Sequence, residues 1–396
     1  MHRFSFICFS TDNWEKRRAR KQQFMLHLSQ REDVGKILYI EPPLNFFRLL
    51  ILPLCELKTY ENRKRWARAL KAKTEALSDK LFLFTPVFFI PFSFRLRFIY
   101  NLNLFFCLHT LRAKAGKLNL ENIVLWLYHP FSHSLLKWFK ERVLSVFDWA
   151  EDWAEYFTEY SPGKQKFISD LEESTVKDAD IVFVVSRMLW ERAKRINPAS
   201  YQILDGTIPE LFDNYDGKAP DAIKDISRPV IGYAGSLFRR VDLDLIGQLS
   251  EELPLCSIVL VGNILFSRER IAKISQKNNI FLLGGKSYDE LPGYMMNFDV
   301  CILPYIPSAA TSPPTKMYDY LATGKPIVSS SLSSLDSFQD CIKIAGSNKE
   351  FIELVKGSLR ADTPALVTLR KERARKNSWR SRADEIMKII VNRSGL

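Results

Sequence analysis

Short apolar runs bounded by Gly, Pro or Ser recur along the second half of the chain, at residues 229–235, 256–262, 280–284, 300–304, 326–329 and 341–345. Between them, apolar positions return with a helical period at 241–252, 267–276, 288–298, 315–323 and 348–359. Fully apolar strands alternating with helices predict a parallel sheet covered on both faces, the doubly wound α/β architecture. The first half follows the same grammar less cleanly. Strands are expected at 4–9, 36–39, 81–85, 123–128, 143–147 and 181–185, with a helix over 14–30 after the first of them.

The loop that opens at Asp205 runs into a Gly-, Pro- and Asp-rich stretch ending at Arg228, and it predicts the boundary between two domains. We read residues 1–209 as one Rossmann-like domain and 210–370 as a second. Residues 371–396 form a basic helical tail carrying Trp379, which is expected to cross back to the first domain. Two such halves face each other across a cleft, and ligands bind at the carboxyl ends of the strands.

Charge changes the picture in one respect. Lys plus Arg number 57 against 45 Asp plus Glu, and the excess of 12 lies in the first half, where residues 1–147 hold 25 basic and 11 acidic side chains. Such a half meets an anionic partner, unless it is only a solvated face. The segment 58–73 carries seven basic residues against Glu61 alone, including Arg63, Lys64, Arg65 and Arg68. It is flanked by the Phe- and Leu-rich stretches 44–54 and 81–111, too short or too interrupted to span a bilayer, which takes ~20 apolar residues. Basic and large apolar residues interleaved in this way suit a protein docked on an anionic membrane surface. The six cysteines are scattered and form no metal-binding pattern, so they read as reduced residues of a cytoplasmic protein, and no secretory signal is expected.

Candidate chemistry centres on SPPTKMYDYLATGKPIV, residues 312–328. Two prolines open a helix, a Gly closes it, and Pro326 starts the next strand. The free amides around Ser312, Thr315 and Lys316, with the helix dipole, form an anion site to which Lys316 adds a cation. Asp319 lies one turn further in and can accept hydrogen bonds from a diol. Phosphate and then ribose, one helical turn apart, is the outline of a nucleoside diphosphate. On the other half, DWAEDW at 148–153 follows a strand, so Asp148 or Asp152 could deprotonate an acceptor hydroxyl, or could merely stabilise a helix start. His129 ends another strand and is a third candidate base. The Asp178/Asp180 and Asp242/Asp244 pairs sit at helix ends and read as dipole partners rather than metal ligands.

The 312–328 run resembles the signature P-x-K-x-x-E-Y-L-A-x-G-x-P-V-V of GT-B glycosyltransferases of the glycosyl-transferase group 1 type. IGYAGS (231–236), LVGN (260–263), LGGK (283–286) with YDELP (288–292), and DVCILPY (299–305) match in order. The likeness is greatest to bacterial polysaccharide and teichuronic-acid-type transferases. It implies a metal-independent enzyme that moves a sugar from a nucleotide-sugar to a glycan acceptor, lipid-linked in cell-surface polysaccharide synthesis, with retention at the anomeric carbon. By the same resemblance Gly235 and Ser236 serve the diphosphate and Arg239 or Arg240 neutralises the leaving phosphate. Asp319 takes the ribose, and Lys286 edges the nucleobase. Three positions depart from the pattern: Thr311 stands where the first Glu of a Glu-x7-Glu pair would be, Asp replaces Glu at 319, and Asp12, Asn13 and Trp14 replace a Gly-Gly loop. Two rival readings are a nucleotide-sugar epimerase on the same fold and a non-enzymatic polyanion-binding protein.

Overall fold

The structure is a computed structural model that describes residues 3–15, 19–91, 96–156, 162–306 and 312–395. The chain divides into two compact units, Met1–Ile203 with Arg382–Leu396, and Leu204–Ser381.

The first unit is built on a sheet whose strands are β1 (Phe4–Phe9), β2 (Val34–Ile40), β3 (Glu75–Ala76), β4 (Leu81–Phe84), β5 (Ile123–Leu127), β6 (Arg142–Trp149), β7 (Ile181–Val184) and β8 (Ser200–Gln202). Their order is β8-β7-β6-β5-β1-β2-β4-β3, parallel except for the short β3 at the edge. All six residues of β1 are buried, as a strand covered on both faces must be. Trp126 of β5 is fully buried and meets the rings of Phe6, Phe24 and Phe183 at 5.4–6.3 Å. Each such side chain contributes about 1.5–3 kcal/mol by leaving water. Helix α1 (Arg20–Ser29) follows β1. It is shorter than the 14–30 expected: Trp14 precedes it in a turn, its N–H donated to Glu41 Oε1 at 2.9 Å and its ring edge-on to Tyr39.

The second unit carries β9 (Val230–Ala234), β10 (Ser257–Val261), β11 (Ile280–Gly284), β12 (Val300–Leu303), β13 (Ile327–Ser330) and β14 (Lys343–Ala345) in the order β11-β10-β9-β12-β13-β14, all parallel. This is the Rossmann order, with its topological switch point between β9 and β12. The corresponding point of the first sheet lies between β1 and β5. The helix expected over 288–298 shortens to Leu291–Met295, because Pro292 belongs in a first turn.

The tail is not one helix. Pro364–Lys376 ends at Asn377, and a second helix, Trp379–Ser394, begins two residues later. The break arises because its peptide groups are spent elsewhere: Asn377 O accepts the Thr207 N–H and the Trp379 N–H donates to Thr207 O. Trp379, Ala383, Ile386, Met387 and Ile390 form the buried stripe of the last helix, which from residue 382 onward belongs to the first unit.

The basic segment differs most from expectation. On the helix Tyr60–Leu70, Arg65 and Arg68 are buried, 7% and 6% exposed, and both grip the buried Glu41 at the end of β2, at 3.2 and 2.6 Å. Lys64 pairs with Glu15 and Glu75. Arg65 and Arg68 are thus internal ties, while Lys58, Arg63, Lys64, Lys71 and Lys73 stay exposed. The apolar flanks behave otherwise. Leu50, Ile51, Leu52 and Leu54, Phe89, and Phe98, Leu102, Phe105 and Phe106 of the helix Arg97–Lys117 are exposed, Leu54 at 88%. Leu44–Asn45 pairs with Val87–Phe88, Phe88 packs on Tyr100, and Asn103 bonds Ile90, so the three stretches are one region. Residues 92–95 within it lie outside the described residues. Of the six cysteines five are buried and Cys55 is exposed.

Candidate functional site

The carboxyl ends of β9 and β12 bring together most of the residues that the sequence singles out in the second unit. β9 is followed by Gly235, whose φ of +150° only glycine adopts readily, and an added Cβ there would meet Lys316 Nζ at 2.2 Å. Gly262, after β10, is tighter still: a Cβ would lie 2.0 Å from the Gly235 carbonyl oxygen. Two side-chain-free turns therefore open the edge of the sheet, and Lys316 occupies the opening.

Lys316 is the second residue of the helix Thr315–Thr323. Its Nζ donates to Tyr233 Oη at 2.6 Å and Tyr305 Oη at 2.8 Å, and it lies 4.2 Å from the centre of the Tyr233 ring. Tyr233 Oη in turn donates a hydrogen bond to the Ser236 carbonyl oxygen. Lys316 forms no ion pair with a carboxylate among the described residues. Burial pushes its pKa down to about 7 against the opposing pull of Asp319. The helix that carries it has no acid within its own first turn and no side-chain cap, and Asp205 reaches its start only through the Thr315 hydroxyl. A partly buried cation beside such a helix start is arranged for an anion.

Asp319, one turn on, is buried. Its Oδ1 accepts from Thr207 Oγ1 at 2.6 Å and from Tyr288 Oη at 3.1 Å. Burial pushes its pKa up to about 6, against these two hydrogen bonds and Lys316. Thr315 Oγ1 donates to Asp205, and Ser312 precedes the helix, half-buried. Arg239 and Arg240 are exposed on the turn after β9, which Arg240 O, accepting from Ile306 N, fastens beside Tyr305. Lys286 has its Nζ 5.5 Å over the Tyr294 ring. Thr311 lies outside the described residues. Asp242 caps the next helix, accepting from the Leu245 N–H.

The first unit's three candidate bases are placed differently. Asp148 is fully buried and takes Arg20 on both carboxylate oxygens at 3.0–3.2 Å, while Arg20 also bonds Ile203 O. Its charge holds the fold and is not open to an incoming hydroxyl. Asp152 pairs with Arg192 at 2.6 Å. His129 accepts the Phe131 N–H on Nδ1 and lies 4.3 Å from the Trp153 ring, and burial pushes its pKa down to about 3. Three residues that the sequence does not single out share this edge. Lys21, 4% exposed, donates to Thr11 and pairs with Asp12 at 2.9 Å and Glu151 at 3.8 Å. Glu172 accepts from Trp149 and Trp153, and burial pushes its pKa up to about 7. Glu41 gathers Arg65, Arg68 and Thr85. Asp178 pairs with His133 and Asp180 binds Ser145. Among the described residues no three His, Cys, Asp or Glu side chains are grouped as a metal would need.

Two Rossmann-ordered sheets, with a last helix returning to the first, define the GT-B fold, in which full-length superpositions agree. Sucrose-phosphate synthase from Thermosynechococcus elongatus covers 98% of this chain and 99% of its own at a TM-score of 0.69 and 14% identity. WaaG, a glycosyltransferase involved in lipopolysaccharide biosynthesis, covers 98% and 99% at 0.60 and 12%. HepE of Anabaena, crystallised with UDP and glucose, covers 98% and 100% at 0.63 and 13%. In sequence the chain is a distant relative of the Bacillus subtilis (strain 168) protein named "Putative teichuronic acid biosynthesis glycosyltransferase TuaH". The two are 24% identical over 237 residues, 56% of this chain and 58% of that protein, so the match spans little more than half of each. No protein-family model matches the chain.

Proposed function

We propose that this protein is a glycosyltransferase that moves a sugar from a nucleoside diphosphate donor to a glycan acceptor in cell-surface polysaccharide synthesis. The observation that carries the reading is Lys316, a cation at a Rossmann switch point that meets two phenols and no carboxylate among the described residues. The donor diphosphate occupies the opening between Gly235, Ser236 and the start of the Thr315–Thr323 helix, with Lys316 on its charge and Arg239 and Arg240 at its rim. Electrostatic stabilisation of the departing diphosphate by these fixed groups supplies the main catalytic effect. No bound metal is assigned to the step, because the chain's own cations do the neutralising. Retention at the anomeric carbon follows from the group 1 resemblance, and the anomeric coupling constant of the product reads it. The names of TuaH, WaaG and HepE's ligands agree with a nucleotide-sugar donor and a surface-polymer acceptor.

The acceptor is lipid-linked on this reading, and the protein works peripherally at the inner face of the cell membrane. Support comes from the exposed Leu, Ile and Phe side chains of residues 50–54, 89 and 98–106, a region that no soluble surface requires. None of the described helices is long and apolar enough to cross a membrane. With Arg65 and Arg68 buried, attachment rests on apolar insertion more than on charge, and the polyanion-binding reading loses two of its cations.

The test is a thermal-shift titration with nucleoside diphosphates and nucleosides in EDTA, since a ligand that binds only the folded state raises stability by RT ln(1 + [L]/Kd). A nucleoside diphosphate that stabilises the protein without metal is the expected result, and its absence at millimolar concentration sinks the donor assignment. Flotation with vesicles tests the second part: Leu50→Ser with Leu54→Ser should weaken flotation more than raising the salt does.

A further inference from the structure

Asp319 is held by residues that come from far along the chain. Thr207 stands on the segment that leads out of the first unit, and its backbone is stitched on both sides to the Asn377–Trp379 break, through Thr207 N–H to Asn377 O at 3.2 Å and Trp379 N–H to Thr207 O at 3.0 Å. The preceding Gly206 is packed so closely there that a Cβ would meet the Trp379 nitrogen at 2.8 Å. The Thr207 hydroxyl is thus fixed by backbone on a second segment, not by its own rotamer alone. Tyr288 comes from the turn after β11. Both hydroxyls end on the same oxygen, Oδ1, and neither reaches Oδ2, to which no hydrogen bond is made among the described residues. A carboxylate with one oxygen doubly occupied cannot rotate without losing two hydrogen bonds, so Oδ2 has a set direction.

Resting on the donor-site reading above, we infer that Thr207 and Tyr288 are positioning residues that lock Asp319 by Oδ1 so that Oδ2 is presented to the ribose diol of the nucleotide. The opening segment of the second unit is then part of the nucleotide site, and Thr207 contributes to selecting ribose over sugars that lack the diol. A doubly tied carboxylate pays no rotamer cost when the diol arrives, and that preorganisation is what the two hydroxyls supply.

The test uses the full chain and isothermal titration with UDP, GDP, ADP and CDP, the tightest of which is carried forward with its 2′,3′-dideoxy analogue. Wild type should prefer the ribonucleotide by about tenfold or more, the scale of a charge-assisted hydrogen bond pair. Thr207→Val keeps the shape and removes the hydroxyl; it should erase most of that preference while binding the dideoxy analogue as wild type does. Thr207→Ser should restore the preference, and Tyr288→Phe, a milder change in a separate element, should reduce it in part. If Thr207→Val and Tyr288→Phe both keep the wild-type preference, or if both lose the two ligands equally, the positioning role is wrong while the nucleotide site stands. If wild type binds none of the four diphosphates, the donor reading itself falls and takes this inference with it.

Discussion

The two sheets share a strand order and each places a lysine at its switch point, yet the two lysines live in opposite electrostatic settings. Lys21, beside β1, is met by Asp12 and Glu151, and its neighbour Arg20 is clasped by Asp148. Lys316, beside β9 and β12, is met by two phenols. In the first unit the charge is cancelled internally and ties the chain together. In the second it is left for something that arrives. Topology alone therefore does not make a switch point a binding site; the carboxylate count around the cation decides which of two equivalent edges can receive an anion.

The difference can be broken most forcefully at Arg20. Arg20→Ala leaves the fully buried Asp148 without its bidentate partner, and the loss of one member of a buried pair costs about 3–5 kcal/mol. Denaturant unfolding of the first unit should register it, whereas Lys316→Ala should cost less, because no carboxylate is hydrogen-bonded to the lysine and Asp319 keeps its two hydroxyl donors. The reverse holds for ligand binding. Lys316→Ala should weaken nucleoside diphosphate binding by about 30-fold, equivalent to about 2 kcal/mol for lost charge-assisted hydrogen bonds, with little effect on the nucleoside. Equal losses for both would mean that the lysine does not hold phosphate.

Gly235→Ala should act through the same lysine. The methyl group intrudes on Nζ and the backbone conformation is strained, so a loss of about tenfold in diphosphate affinity is expected, with the far end of the Lys316 side chain displaced rather than the fold undone. Smallest is the effect of pH. Lys316 gives up its proton as pH rises through about 7, and Asp319 takes one up as pH falls through about 6. Diphosphate affinity should decline by a few-fold on either side of that interval, with the alkaline limb shifting upward at saturating ligand, because a bound anion favours protonated lysine. Loss of the alkaline limb alone in Lys316→Arg would tie that limb to residue 316.

What could be read from the sequence follows physical range. The six strands of the second sheet are continuous apolar runs between breakers, a signal that stays within five or six residues, and all six are present. Lys316 and Asp319 were legible as a pair because one helical turn fixes their spacing. The groups that give them meaning were not. Tyr233 reaches Lys316 from β9 and Tyr305 from the segment after β12, Thr207 reaches Asp319 across 112 positions, and Arg20 reaches Asp148 across 128. Local pattern carries no information about such partners. The basic helix at 60–70 misleads for the same reason: a cation facing solvent and a cation facing Glu41 look identical until the sheet places Glu41 beneath it.

The first unit is interrupted by the second. Its buried stripe at Ala383, Ile386, Met387 and Ile390 is encoded after the whole of Leu204–Ser381. At the ~5–20 residues per second of synthesis, the roughly 180 intervening residues take ~10–35 s to emerge. Throughout that interval the nascent first unit must wait with the seat of its last helix uncovered, while the second unit, continuous in sequence, is free to fold at once. Of the two units, the one whose residues come first in the sequence is therefore the one completed last.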